Sequence, residues 1–426
     1  MDKFQKNWKL VLIINEIKIL NLIDKTYHKP IPLRSKVSFL VFILFNLSYA
    51  VSYPQIILPF ELYDSKSILI KLPALNGQDT LTFFFDTGAS TILLDNHVAE
   101  KFSIKANLQR EVPGASGSKM YRYATDQKIF LNKSTTIDHV NFVLDDLSRL
   151  NATHGRKFDG IIGNDILSKY LTVVNITKRQ ILLYPFKTVL DTTNYKSIDF
   201  VFGNGIPIPR FSIDVQLLNG EKLSGDILFD SGAGLTLFFN TPFQQKNNLS
   251  AKVGKTVSST QNNLSNKSAT TLAAISAISI GPYTFKGKLT VNISSDQAGV
   301  SSYDGYLGIL GSQIINRFDF ILDYASKKLY LKPNFLYPQA FTTAVPPFKI
   351  ILQQEKVIID YIIEQSAAYR CGLRKGQIIL SINQVKSTDL QVYRQMLLNE
   401  NKDIEVSYVD TDGQIKQCVF KIEKLL

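Results

Sequence analysis

Two stretches decide the fold: Phe83-Phe84-Phe85-Asp86-Thr87-Gly88-Ala89-Ser90 and Ile227-Leu228-Phe229-Asp230-Ser231-Gly232-Ala233-Gly234. Each runs from an apolar, strand-like segment directly into Asp, a hydroxyl residue, Gly and Ala. An ionised carboxylate at the end of an apolar strand is costly to bury alone. Two aspartates that each follow such a strand indicate that the two carboxylates are partners of each other.

The similarity continues on both sides of these stretches. Upstream, Leu75-Asn76-Gly77 and Leu218-Asn219-Gly220 predict hairpin turns. Downstream, the segment ending at Gly163 matches the segment ending at Gly308, which are 77 and 78 positions after the respective aspartates. Each half then closes on a predicted strand pair, 171–183 and 318–331. The chain is predicted to contain two copies of one β-rich unit.

This pattern resembles the aspartic peptidases of the retroviral and pepsin type, over roughly Gln55 to Pro333. The resemblance implies that each copy is a small β-barrel lobe that supplies one catalytic Asp. The two lobes would meet about a pseudo-twofold axis, with Asp86 and Asp230 as the catalytic pair. Because both lobes lie in one chain, a monomer is sufficient for the active site.

The chemistry of such a pair explains the residue types in the loops. Two carboxylates about 3 Å apart share one proton, so one can activate a water while the other protonates the scissile carbonyl. Gly88 and Gly232 would let the backbone approach the carboxylates closely. By the resemblance, the Thr87 and Ser231 hydroxyls would hydrogen-bond across the interface and support the active-site loops.

A lone Asp-Ser-Gly is more often an ordinary turn, and only the matched first copy favours a catalytic role for Asp230. One departure is that Gly234 stands where the first copy has Ser90. The alternative to an enzyme is therefore a catalytically inactive module of the same fold that binds peptides or proteins.

The halves differ most in the segment that could cover the cleft. In the first half, Gly114 and Gly117 lie at a predicted hairpin tip, which suits a flap that bends over a peptide, with Tyr121 or Tyr123 as aromatic contacts. An ordinary surface loop is the alternative. The corresponding segment of the second half, 258–266, is polar and has no glycine. We expect one working flap, on the first lobe.

The region after Pro346-Pro347 resembles a PDZ domain, on the stretch from Ala367 through Cys371-Gly372-Leu373 to Asn383. We expect a short helix, a tight turn and a strand here, then a helix over 390–399 and a hairpin around Asp412-Gly413. PDZ domains bind extended peptides at a sheet edge. Segment 348–354 has no glycine, so a peptide ligand of this domain and docking on the lobes both stay open.

The amino-terminal region carries an apolar run, 37–47, after Arg34 and Lys36 and before Ser48-Tyr49-Ala50. This pattern predicts a signal peptide cut after Ala50 and therefore an exported protein, periplasmic, secreted or envelope-associated. An uncleaved membrane anchor is the alternative. A surface helix over 8–23 is a further alternative for this region.

Composition narrows the function classes. The net charge is +12, but Lys and Arg are scattered among acids, which argues against nucleic-acid binding. The four histidines have no metal-ligand spacing, so we expect no metal site and no cofactor. Cys371 and Cys418 are interpreted as buried free thiols, with a disulfide as the alternative in an exported protein.

Together these observations predict a mainly β protein of two tandem retropepsin-like lobes and a small α+β PDZ-like domain. The predicted divisions are 1–50 for targeting, 51–190 for lobe 1, 191–340 for lobe 2 and 341–426 for the PDZ-like domain. The predicted activity is aspartic endopeptidase action on protein or peptide substrates.

Overall fold

Buried aromatic and branched residues organise the first half into strands. Alternate side chains of the first strand, Ile56, Leu58 and Phe60, are buried, and the third strand ends in buried Phe83, Phe84 and Phe85. The computed structural model describes residues 56–114, 117–203, 205–262 and 267–426. The predicted signal peptide lies outside the described residues, as do Ala115 and Ser116 of the predicted flap.

Among its described residues, the first half has ten strands and three short helices: β1 (Ile56–Tyr63), β2 (Ser67–Pro73), β3 (Thr80–Phe85), β4 (Ile92–Asp95), α1 (Asn96–Lys101), β5 (Leu108–Pro113), β6 (Ser118–Phe130), β7 (Thr136–Asp145), α2 (Ser148–His154), β8 (Gly160–Ile162), α3 (Asn164–Leu167), β9 (Leu171–Asn175) and β10 (Gln180–Tyr184).

The second half follows the same order, except that two short strands replace the first strand, a second helix follows the first helix, and a 3₁₀ turn replaces α2. Its elements are β11 (Lys196–Asp199), β12 (Val201–Gly203), β13 (Ile206–Leu217), β14 (Lys222–Phe229), β15 (Leu237–Phe239), α4 (Thr241–Lys246), α5 (Leu249–Lys252), β16 (Val257–Asn262), β17 (Lys267–Ile280), β18 (Tyr283–Ser294), a 3₁₀ turn (Val300–Ser302), β19 (Gly308–Leu310), α6 (Ser312–Ile315), β20 (Phe318–Asp323) and β21 (Lys328–Pro333).

The pairing around the two Asp-bearing strands is the same in both halves, and the second half adds a pairing of β13 with β17. β3 runs parallel to β8, as β14 does to β19. β4 pairs antiparallel with β8 and parallel with β7, and β15 pairs in the same two ways with β19 and β18. The repeated sequence is therefore a repeated structure, and the chain is mainly β as predicted.

The register corrects one detail of the predicted repeat. Gly160 pairs with Phe83, three residues before Asp86, and Gly308 pairs with Ile227, three residues before Asp230. The structural counterpart of Gly308 is therefore Gly160, and the predicted match with Gly163 was wrong by three residues. The similar pairs Asp159-Gly160 and Asp304-Gly305 caused this error, because Gly160 is the first residue of β8 whereas Gly305 lies three residues before β19.

A shared sheet joins the two halves. β20 pairs with β9, so that the order β11-β21-β20-β9-β10-β1 continues into the remaining first-half strands. The second half has its own eight-stranded sheet. One apolar cluster contains buried residues of both halves, from Ile56 to Leu331, so these halves fold on a common core.

The carboxy-terminal domain has a separate core and a five-stranded antiparallel sheet in chain order. Its elements are β22 (Phe348–Gln353), β23 (Lys356–Ile362), α7 (Ala367–Arg370), β24 (Ile378–Ile382), α8 (Leu390–Met396), β25 (Asp403–Val409) and β26 (Ile415–Lys421). The predicted helix, Gly turn, strand, helix and hairpin are all present, although α8 ends at Met396 and not at residue 399.

The two cysteines are joined in a disulfide, with their Cα atoms 5.8 Å apart. The interpretation as buried free thiols was wrong, because the turn after α7 brings the half-buried Cys371 beside the buried Cys418 of β26. Within the described residues, no helix is long and apolar enough to cross a membrane.

Candidate active site

Asp86 and Asp230 occupy matching positions, directly after β3 and β14. The Asp86 backbone N–H donates to Ile162 O at 2.9 Å, and that of Asp230 to Leu310 O at 3.1 Å. Each bond goes to the parallel strand beside the Asp-bearing strand. The chain therefore leaves both strands in the same way, and the two loops meet where the halves join.

The hydroxyl residues of the two loops hydrogen-bond each other reciprocally. The Thr87 N–H donates to Ser231 Oγ at 3.0 Å, and the Ser231 N–H donates to Thr87 Oγ1 at 2.9 Å. The Thr87 hydroxyl also donates to Phe229 O at 2.8 Å. Both side chains are almost fully buried, at 0% and 1% exposure. These bonds fix the positions of the two aspartates relative to each other.

The two carboxyl groups are in hydrogen-bonding contact with each other. Each also accepts backbone N–H groups from its own loop. Asp86 Oδ1 accepts Gly88 N–H at 2.7 Å, and Asp230 Oδ1 accepts the N–H groups of Gly232 and Ala233 at 2.9 and 3.0 Å.

The two loop glycines lie against the opposite carboxyl group. A Cβ added at Gly88 would be 2.6 Å from Cγ of Asp230, and one added at Gly232 would overlap the Asp86 carboxyl. No side chain fits at either position while the carboxyls stay in contact. The glycines therefore make the close approach of the two acids sterically feasible.

Burial controls the ionisation of the pair. It raises the pKa of Asp86 well above that of a free Asp, and the neighbouring Asp230 carboxyl raises it further. Burial also raises the pKa of Asp230, while the bond from Asp86 and two backbone N–H groups oppose that shift. Asp230 accepts more hydrogen bonds from its loop, which favours its ionised form, so the pair shares one proton that lies mainly on Asp86.

A cavity of about 910 Å³ has both carboxyl groups in its lining, together with the predicted flap residues Gly114, Tyr121 and Tyr123. Gly114 N–H donates to Gly117 O at 2.9 Å across the tip of the β5–β6 hairpin. Tyr121 is buried, and burial raises the pKa of its phenol to about 12. The structure thus brings the predicted flap and the two aspartates to one cavity.

Two contacts of this site had no signal in the sequence. The Val300 N–H of the second half donates to Gly114 O at 2.8 Å, which holds the flap tip against the opposite half. Tyr324, directly after β20, lies near Asp86, and burial raises the pKa of its phenol, with a smaller contribution from the Asp86–Asp230 pair. Both contacts depend on how the two halves meet, and the sequence around each residue does not indicate this.

The repeated Asp-Gly pairs do not contribute to the carboxyl pair. Asp159 Oδ2 accepts the Thr82 N–H at 2.8 Å, and Asp304 Oδ1 accepts the Gly305 N–H at 2.8 Å. Both therefore organise backbone. Among the described residues, no group of three or more His, Cys, Asp or Glu could hold a metal ion.

Comparison with known families adds independent evidence. The sequence model of the aspartyl protease family matches residues 73–166, which include Asp86, Gly88 and the flap hairpin. The model of the PDZ domain matches residues 358–407. Asp230 lies outside both ranges, and the comparison with curated proteins gave no match. The chain thus contains an aspartyl protease domain followed by a PDZ domain.

Proposed function

We propose that this protein is an aspartic endopeptidase with Asp86 and Asp230 as its catalytic pair. The observation that carries the proposal is the contact between two half-buried carboxyl groups in the cavity, each with the glycine of the opposite loop against it. A pair that shares one proton offers an acid and a base at the same place, and hydrolysis of an amide requires both.

In this mechanism, a water bound between the carboxyls loses a proton to the ionised Asp230 and attacks the amide carbon. Asp86 donates its proton to the carbonyl oxygen, which gives a neutral gem-diol. Transfer of a proton from the diol to the nitrogen, through the carboxyl pair, breaks the C–N bond and releases an acid and an amine. No covalent enzyme intermediate forms, and the pair ends with the single proton it had at the start.

The substrates of this proposal are extended protein or peptide segments. The cavity over the pair is lined by apolar groups of both halves, including Phe84, Phe158 and Phe238. The flap hairpin offers backbone groups beside that cavity, where a peptide in extended form could pair with it. Thr87, Gly88, Ser231 and Gly232 keep the pair in position, and Gly114, Gly117 and Tyr121 contact the substrate.

The test compares Asp86→Asn and Asp230→Asn with the wild type on a quenched fluorescent peptide library. Each substitution removes the shared-proton pair, so we expect kcat/KM to fall by at least about 10³-fold. Asp304→Asn, an exposed Asp-Gly turn of the second half, serves as the matched control and should keep full activity. A statine-type inhibitor should block the wild type.

The second candidate is a catalytically inactive module that binds peptides on the same surface. It predicts that labelled peptides bind in the cleft, that Asp86→Asn leaves this binding unchanged, and that no cleavage is detected over a pH series. That set of results would replace the endopeptidase proposal.

We infer in addition that the protein acts outside the reducing cytoplasm. The disulfide between Cys371 and Cys418 supports this, because such bonds persist mainly in oxidising compartments. Fusion of residues 1–50 to a reporter that is active only after export tests the predicted signal. A reporter that stays in the cytoplasm would contradict it.

A further inference from the structure

The PDZ domain lies against both halves of the protease. Its β22 packs on α2 of the first half. On the second half, the end of β23 and the two carboxy-terminal leucines pack on Val257 and Leu272 of the β16–β17 hairpin. Residues of this domain, Phe348, Ile350, Leu397 and Leu398 among them, line the same cavity as Asp86 and Asp230. The domain is therefore one wall of the candidate active site.

The contact with the first half uses the groove between β22 and α8. Arg394 of α8 donates to the carbonyl oxygens of Thr153 and His154, the latter at 3.4 Å, at the end of α2. Leu390 of α8 lies against Gly155, where an added Cβ would be 2.8 Å from its Cγ. A strand edge beside a helix is where PDZ domains take a peptide. Here the end of α2 occupies it.

Further polar contacts strengthen this docking. The Gln391 amide, oriented so that both of its polar atoms are paired, donates to Asp64 Oδ1 at 2.6 Å. On the second half, Tyr361 OH donates to Ser258 O at 2.9 Å, and Lys267 Nζ lies 2.9 Å from Asp360 Oδ2. The PDZ domain is thus attached on both sides of the cleft.

We propose that the PDZ domain is an autoinhibitory cap, held across the cleft because its peptide groove binds α2 of the same chain. A cavity of about 910 Å³ is of a size for a compact ligand and admits a short peptide. A protein substrate needs an opening at both ends of the cleft for the chain to continue. Release of α2 from the groove opens the cleft to such substrates.

This proposal rests on the proposed endopeptidase function, so the experiment has one readout that needs no catalysis. Arg394→Gln removes the two bonds to α2, and Gly155→Ala introduces the clash with Leu390. The matched controls are Arg370→Gln, an exposed arginine on α7, and Gly77→Ala, which has the same positive φ and no atom within 4 Å of the added Cβ.

Hydrogen exchange of the full chain reports the docking. We expect faster exchange at 148–155 and 348–353 in Arg394→Gln and Gly155→Ala, and unchanged exchange in both controls. Loss of two bonds to a charged group should shift the docked equilibrium about tenfold or more. Unchanged exchange in both docking variants would overturn the proposal.

Two assays then test the cap itself. In the active chain, Arg394→Gln should raise kcat/KM for labelled, unfolded casein about tenfold and change cleavage of a quenched hexapeptide less than twofold. In the Asp86→Asn background, Arg394→Gln should accelerate casein binding by a similar factor, whether or not the wild type cleaves. Slower casein binding, or equal loss of both cleavage activities, would show that the domain supports the cleft and does not cap it.

Discussion

At the scale of single residues, the crossed glycines distinguish this site from two ordinary Asp-Gly turns. A turn needs a glycine for its own backbone conformation, whereas Gly88 and Gly232 are needed because each lies against the carboxyl of the other half. The sequence predicted close backbone approach at both positions. It could not specify that the approach is made across the interface, because that depends on the pairing of two loops far apart in the chain.

Gly232→Ala tests this steric role. The added methyl overlaps the Asp86 carboxyl and displaces it from Asp230, and a misplacement of about 1 Å costs on the order of 10²-fold in rate. We therefore expect kcat/KM to fall about 10²-fold on a peptide substrate. The control is Gly234→Ala in the same loop, whose Cβ would meet its nearest neighbour, Lys66, only at 3.8 Å. Equal activity of the two variants would contradict the crossed-glycine arrangement.

At the scale of elements, the predictions that succeeded concern local pattern. The Asn-Gly turns, the closing strand pairs and the order of elements around Gly372 depend on residues close in sequence, and all are present. Local pattern could not show that Gly308 matches Gly160 and not Gly163, because the register of β8 and β19 is set by their pairing with the distant strands β3 and β14. Gly163 and Gly311 are the true counterparts, and each lies against the carbonyl of an alanine, Ala89 or Ala233.

The disulfide ties α7 to β26 and gives a prediction for the PDZ domain. Its closed loop spans a sequence separation of 47 residues, for which loop entropy corresponds to about 4 kcal/mol. We expect reduction to lower the free energy of unfolding of this domain by about 2–4 kcal/mol. Urea unfolding of the full chain with and without a thiol reductant measures it. A Cys371→Ser, Cys418→Ser double variant should be insensitive to the reductant.

At the scale of the whole molecule, the cleft is built by three parts of the chain and not by two. The predicted alternatives for the carboxy-terminal domain were a peptide ligand or docking on the lobes, and the structure contains the docking. In this docking, α8 contacts α2 and the β1–β2 turn of the first half, and β23 contacts the β16–β17 hairpin of the second half. No local pattern encodes it, because its residues have ordinary surface character in sequence.

The cap interface contains a group that responds to acid. The His154 ring packs on Phe84 and Phe158, with ring centroids 5.6 Å apart in each pair. Three charged groups lie nearby: Arg394 of α8 and Lys66 of the β1–β2 turn lower the pKa of the ring, and Asp64 raises it. Burial, reinforced by Arg394, lowers the pKa of His154 to about 4. An unfolded or released His binds its proton near pH 6.5, so the native contact is lost progressively as pH falls from about 6.5 to 4.

We therefore expect the free energy of unfolding to fall on the order of 2 kcal/mol more between pH 7 and pH 5 in the wild type than in His154→Gln. Urea titrations at the two pH values measure this difference. His139→Gln, an exposed histidine beside Asp126, should behave as the wild type. Equal pH dependence in wild type and His154→Gln would exclude His154 as the responsive group. If the prediction holds, the acid conditions that keep a proton on the Asp86–Asp230 pair also weaken the contact that closes the cleft above it.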